Sequence, residues 1–370
     1  MGDAHLEYIA NIASTFSTNE LLTRFYLQSL ARDLLPSEKV RHCMRTIAPY
    51  KTNVEIAKRG GNNNAHYRNL IICSRIWQCP VCAATITENR RKELTKAIAT
   101  SGLHPVLISF TLQHNKTHKL TDSLKALLDA YRAYKSGRGW QKFAHEYFCV
   151  GSVKALEVTY GENGWHCHIH EFALFEIPIT ANVENAINTF VKERWQRSVV
   201  AQGRDASWTR GADVRTEQHE IREYVAKFGK LPRGTKWTVE HELTKSPSKK
   251  GRIGGATPMQ LLIDYGAGDT KSGQLFIEYV GAFKGKHQLQ WSKGLRDMLG
   301  LGVELTDAEL SEREAAKGVI LATLTRAQWK VILSSGRRGE LLAVASSADN
   351  ETLIQYIASI IDPHTAESPA

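Results

Sequence analysis

The stretch Gly164-Trp165-His166-Cys167-His168-Ile169-His170 reads as a β-strand with histidine at every second position. Successive strand side chains point to opposite faces. His166, His168 and His170 therefore share one face, while Cys167 and Ile169 point to the other. Imidazoles converging on one face suit a divalent metal. A lone His-x-His arises often by chance; three alternating histidines behind a Gly161-Glu162-Asn163-Gly164 turn are a sharper signal. That turn joins residues 165–175 to a preceding strand at 153–160, which is a hairpin pattern. In Leu156-Glu157-Val158 the apolar neighbours claim the core and turn Glu157 to the opposite face. Either Glu157 or His166 then completes a ligand set with His168 and His170. Two imidazoles and a carboxylate leave positions open for a phosphate oxygen, and such a set tolerates Mg²⁺ or Mn²⁺.

Outward from this hairpin, residues 104–112 (HPVLISFTL) read as another strand, with Val106, Ile108, Phe110 and Leu112 on one face and Leu107, Ser109 and Thr111 on the other. Helical patterns run over 85–100, 120–136, 181–200 and 217–230. Residues 245–255 are rich in Lys, Ser and Gly and read as a loop. Beyond 256 the pattern is mostly helical, with one strand near 319–324, and residues 1–40 also look helical. Antiparallel strands mixed with helices predict an α+β fold built on a central antiparallel sheet.

The 370-residue chain carries a formal net charge of +10, which suits a polyanionic partner such as nucleic acid. No apolar run approaches the ~20 residues of a membrane span. The first residues, MGDAHLEYIANIAS, lack the basic-then-apolar pattern of a secretory signal. A cytoplasmic protein with no membrane partner is the expectation. In that reducing compartment six cysteines are better read as metal ligands or core residues than as disulfides. Cys79-Pro80-Val81-Cys82 is a tight pair suited to tetrahedral Zn²⁺, and Cys73 and Cys43 complete a four-cysteine site, with His42 or His66 as alternative ligands. Cys149 and Cys167 are expected in the core. The basic run Arg90-Arg91-Lys92 on the following helix is a candidate duplex-binding element.

In Glu220-Ile221-Arg222-Glu223-Tyr224-Val225-Ala226-Lys227, a helix places Glu220, Tyr224 and Lys227 on one face. Tyr224 is a candidate nucleophile, Lys227 a source of positive charge, and Glu220 a general base. By spacing alone the segment reads rather as an ordinary amphipathic helix with Tyr224 half buried.

Taken in order, these segments resemble the plasmid rolling-circle replication initiators, the single-tyrosine branch of the HUH endonuclease superfamily. HPVLISFTLQHN resembles the first family motif, His168-Ile169-His170 the His-hydrophobe-His metal motif, and Tyr224-Val225-Ala226-Lys227 the nucleophile motif. The Cys73…Cys82 cluster and Trp291-Ser292-Lys293-Gly294-Leu295 resemble two further signatures of that branch. Cys167 stands where the family more often has Pro. The resemblance implies an N-terminal segment over 1–40, a zinc- and DNA-binding element over 41–100, an HUH endonuclease domain over 101–290 and a helical region over 291–370. It also implies an enzyme that nicks one strand at a plasmid origin, with Tyr224 joined to the 5′ phosphate, a free 3′-OH primer, Glu220 acting in termination, and a host helicase and DNA polymerase as partners.

Overall fold

The structure is a computed structural model that describes residues 20–59, 65–227 and 255–362. Strands β1 (Asn53–Lys58) and β2 (Ala65–Arg68) follow helix α1 (Glu20–Leu34). Helix α2 (Pro80–Thr100) leads to β3 (His104–Thr111), α3 (Leu120–Tyr134) and α4 (Gly137–Glu146). The hairpin β4 (Cys149–Gly161) and β5 (Gly164–Phe175) comes next, then α5 (Ala181–Val200), β6 (Ala212–Arg215) and α6 (Gln218–Lys227). After 254 the chain forms α7 (Pro258–Gly266), α8 (Thr270–Phe283), β7 (Leu289–Trp291), α9 (Leu295–Met298) and α10 (Asp307–Ala316). It ends with β8 (Val319–Thr325), α11 (Arg326–Ser335), α12 (Arg338–Ser347) and α13 (Asn350–Ile361). The loop expected at 245–255 and the end of the 217–230 helix lie largely outside the described residues.

The β4–β5 hairpin is the centre of a five-stranded sheet of order β6-β3-β5-β4-β7, antiparallel throughout. Its two faces have different fates, and alternation along each strand decides which residue meets which. On one face, Val106, Ile108 and Phe110 of β3, Leu156 and Val158 of β4, and Cys167 and Ile169 of β5 pack with Leu124, Leu127 and Tyr134 of α3 and Val191 and Trp195 of α5. Burying each large side chain there contributes about 1.5–3 kcal/mol. On the other face, Leu107, Val153, Phe172 and Leu174 are covered by Leu94 and Ala97 of α2 and by Ile221 and Val225 of α6. That cover stops short of the hairpin's turn end. His166, His168 and His170 lie beyond it and are only half-buried.

The Trp291-Ser292-Lys293-Gly294-Leu295 segment fastens the outer edge of this sheet. β7 pairs with β4, and the Ser292 hydroxyl accepts from the Ser152 amide at 2.9 Å. A Cβ on Gly151 would stand 2.6 Å from that hydroxyl, so the close approach needs glycine.

A second sheet, β2-β1-β8, joins the cysteine-rich region to the C-terminal one: Asn53 pairs with Thr325 and Lys58 with Val319. Tyr67, Trp329, Leu341 and Leu353 fill its core. The sequence pattern showed neither β1 nor β2. α1 bridges the cores, with Leu27 and Ala31 in the first and Phe25 in the second.

Within the Arg90-Arg91-Lys92 run the two arginines are paired inside the chain, while Lys92 stays exposed. Arg90 is buried and donates to Glu304 and Asp307, each at 2.7 Å, while Arg91 is held by Glu88 at 2.7 Å. Arg90 ties α2 to the start of α10, whereas Arg91 pairs with Glu88 one turn away on α2 itself.

Trp195 is fully buried, its ring 4.7 Å from that of Phe110 and its indole N–H donating to the Thr111 carbonyl at 3.0 Å. Trp195→Ala is expected to lower unfolding stability by about 3–5 kcal/mol. Trp195→Phe, which mainly loses the hydrogen bond, is expected to cost about 1 kcal/mol. Urea unfolding followed by circular dichroism checks both.

Candidate active site

Sheet register assembles the histidine site. Glu157 of β4 is the direct cross-strand partner of His168 of β5, and directly opposed residues share a face. Glu157 Oε2 lies 3.1 Å from His168 Nε2 and 3.6 Å from His170 Nε2. The ligand atoms of Glu157, His168 and His170 all fall within 4.8 Å of one another. His166 stands outside this group: its ring stacks on His114 at 4.8 Å with 7° between the planes.

The other ring nitrogens are also accounted for. Nδ1 of His168 lies 3.3 Å from the backbone oxygen of His166, an acceptor only. Nδ1 of His170 lies 2.8 Å from the Ser109 hydroxyl on β3. Both contacts leave Nε2 as the nitrogen turned to Glu157, the arrangement in which outer partners orient metal-ligating histidines. Burial disfavours charge on Glu157, yet the His168 hydrogen bond, the positive fields of His170 and His168, and the Tyr224 hydroxyl outweigh it and hold the carboxyl at about 2. Burial above all pulls His170 down to about 4. An ionised carboxylate and a neutral imidazole are the states that metal ligation requires. Hard divalent ions at about 2.1 Å from each donor place neighbouring donors about 3 Å apart, so the donor set fits such an ion.

Tyr224 comes to the same carboxylate from α6. Its hydroxyl donates to Glu157 Oε1 at 2.7 Å, and its ring lies 4.6 Å from that of His170 and 5.4 Å from that of Phe172. α6 is held there by Ile221 and Val225, both buried against the covered half of the sheet. Among the described residues, the tyrosine thus sits where the cover of this face ends. Burial, followed by the negative Glu157, raises its pKa well above 10. Glu220, one turn earlier, lies 3.8 Å from Arg215 of β6, and that arginine also pairs with Asp213 at 2.8 Å. Lys227 closes α6, but its side chain lies outside the described residues.

The four cysteines form a second, separate cluster. Cys43, Cys73, Cys79 and Cys82 are all buried. Their sulfurs lie 3.5 Å (Cys43–Cys82), 3.6 Å (Cys73–Cys82) and 3.7 Å (Cys43–Cys79) apart. A tetrahedral Zn²⁺ with Zn–S bonds of about 2.3 Å sets edges of about 3.8 Å, so this donor set fits zinc. Cys79 is the N-cap of α2 and Cys82 lies in its first turn. The alternative ligands are engaged elsewhere: His42 faces Thr46 at 3.3 Å, and His66 faces the Ala315 carbonyl at 3.2 Å. Cys167 is in the sheet core and Cys149 is half-buried beside it.

Two partners escaped the sequence reading. Gln28, from the N-terminal helix, donates to Cys79 Sγ at 3.3 Å, and its carbonyl accepts from the buried Arg338 of α12 at 3.3 Å. Ser109 was legible as facing away from the apolar side of β3, but its contact with His170 depends on a register that one strand cannot reveal.

Comparison with known proteins gives two relatives. "Protein rep" of Streptomyces lividans is 28% identical, over 65% of this chain and 66% of its own length. "Neomycin resistance protein" of Streptomyces cyanogenus is 31% identical, over 28% of this chain and 30% of its own. The chain therefore spans just under two thirds of the first relative and under a third of the second. No family model matches, and no solved structure matches. The relative named Rep agrees with the resemblance to plasmid Rep proteins read from the motifs. Among the described residues no helix is long and apolar enough to cross a membrane.

Ser109→Ala is expected to weaken Mn²⁺ binding at the Glu157–His168–His170 group about 10- to 100-fold, while Ser109→Thr retains it; titration calorimetry measures both. Elemental analysis of the purified chain is expected to find one zinc per chain, lost in Cys79→Ser.

Proposed function

We propose that this chain is a plasmid replication initiator of the HUH endonuclease type, which nicks one DNA strand at its origin through a 5′-phosphotyrosine link. The observation that carries this reading is the double engagement of Glu157, with one oxygen on the Tyr224 hydroxyl and the other beside His168 and His170. A nucleophile and a metal-ligand set meeting at one carboxylate is an arrangement for phosphoryl transfer. The relative named Rep supports the biological setting.

Glu157, His168 and His170 would hold Mg²⁺ or Mn²⁺, with Zn²⁺ confined to the four cysteines. When bound, the ion supplies charge that polarises the scissile phosphate and offsets the negative charge developing on it. Tyr224 attacks phosphorus through Oη. The new O–P bond forms as the P–O3′ bond breaks, the tyrosine proton is given up, and the departing 3′ oxygen gains one. Phosphate-ester character is conserved, so strand transfer back to a 3′-OH needs no nucleotide. A raised tyrosine pKa in the free chain keeps Oη protonated until substrate and ion arrive. Glu220 sits on the Tyr224 side of α6 and, once freed from Arg215, takes a proton from water or an incoming hydroxyl to end the cycle. Lys227 adds positive charge near the phosphate. A host helicase and DNA polymerase then use the opened strand and the 3′-OH.

Incubation with an origin oligonucleotide and Mn²⁺ tests the reading. The wild-type chain is expected to form a covalent protein–DNA adduct that Tyr224→Phe does not form. His168→Ala and His170→Ala are each expected to lower nicking by at least about 10²-fold while origin-duplex binding is retained. An adduct persisting in Tyr224→Phe removes Tyr224 from the role of nucleophile.

A further inference from the structure

Between α5 and β6 the chain makes a turn that holds an exposed tryptophan. Trp208 keeps 52% of its surface accessible, unusual for the side chain with the most apolar area to hide. The turn beneath it is firmly built. Ser207 accepts from the Gly211 amide through its carbonyl at 2.6 Å and from the Arg210 amide through its hydroxyl at 3.3 Å. That hydroxyl also meets the Thr209 hydroxyl at 3.1 Å. Gln196 of α5 donates to the Ala206 carbonyl at 2.7 Å, and the Gln113 amide donates to the Asp205 carbonyl at 2.8 Å. A Cβ on Gly211 would fall 2.5 Å from the Ser207 oxygen, so the tight closure depends on glycine.

The turn stands over the face that carries the histidines. Thr111 is the cross-strand partner of His168, and such partners share a face. The Thr111 hydroxyl donates to the Arg210 carbonyl at 3.0 Å, and its amide donates to the Gly211 carbonyl at 2.9 Å. The row Gly211–Thr111–His168–Glu157 therefore runs straight from the turn to the ligand group, at strand spacings of about 4.8 Å. Around the indole the sequence is polar: Arg204, Asp205, Ser207, Thr209 and Arg210. A protein partner would call for a contiguous apolar patch. A single aromatic plane in a turn of hydroxyls that also carries the exposed Arg210, on a chain of net charge +10, suits a nucleobase and its phosphate instead.

Building on the nicking function proposed above, we propose that Trp208 is a stacking platform for an unpaired base flanking the scissile phosphate, with Arg210 on the adjoining backbone. Stacking is open to any base but only to one not already stacked in a duplex, so the subsite selects single-stranded DNA without reading sequence. The rigid turn sets the distance between that base and the metal row.

The test is fluorescence anisotropy with a labelled oligothymidylate of about 15 nucleotides and with a duplex of equal length, in buffer without added divalent ion, on the full chain. Trp208→Ala is expected to weaken single-strand binding about 5- to 100-fold, the range of one base–aromatic stack. Trp208→Phe is expected to stay near wild type, and duplex binding to stay unchanged in both. Equal losses on both probes, or no loss on either, overturn the proposal. So does a change in sedimentation with DNA affinity intact, which would make a second copy the occupant. Unchanged circular dichroism and zinc content exclude misfolding. Because neither Tyr224 nor a divalent ion enters this assay, it remains readable if no covalent adduct forms, so the two proposals fail separately.

Discussion

One carboxylate organises the site. Glu157 faces two imidazoles with one oxygen and a tyrosine hydroxyl with the other. Neither contact exists unless β4 and β5 pair in their observed register, because a one-residue slip would turn Glu157 into the apolar layer occupied by Leu156 and Val158. The apolar layer under the sheet therefore does more than stabilise. It fixes which face every polar residue of the hairpin can occupy. Among the described residues, α2 and α6 cover the other face only as far as Tyr224.

The histidine face and its opposition to Ile169 and Cys167 were legible because period-two alternation is a local property. Glu157 was legible as facing away from the core for the same reason, but whether it or His166 joined His168 and His170 was not. That choice rests on cross-strand register and on the stacking of His166 with His114, which are not encoded in either strand alone. The cysteine cluster was legible from composition and spacing, whereas Gln28 was not, since it arrives from 51 residues away in sequence. Reading Arg90 as part of an exposed basic face failed for a related reason: Glu304 and Asp307, which neutralise it, are more than two hundred positions downstream. Charge seen in a sequence is gross charge, and only the fold shows how much is left for a partner.

The cysteine cluster gives the N-terminal region a fixed point that its short strands alone would not provide. Four buried sulfurs draw together a 3-10 turn after α1, the loop before α2 and the first turn of α2. Gln28 passes this onward to Arg338, whose guanidinium also donates to the Met44 carbonyl at 2.7 Å and lies 5.1 Å from the Phe25 ring. Burial is the main reason its pKa falls to about 10, with Arg45 adding to the effect. Cys43 opposes this fall electrostatically, which ties the cysteine cluster to the packing of the C-terminal helices.

The pairing of β1 with β8 has a consequence for synthesis. β1 is complete by Lys58, yet its partner begins at Val319, so a nascent chain carries an unsatisfied strand edge while some 260 further residues are made. At about 5–20 residues per second that interval lasts on the order of tens of seconds. An open edge is a template for pairing with other chains. The charged Glu55, Lys58 and Arg68 of this hairpin are poor aggregation partners along the edge. Long-range closure of this kind makes late translation the step at which the chain commits to its final topology.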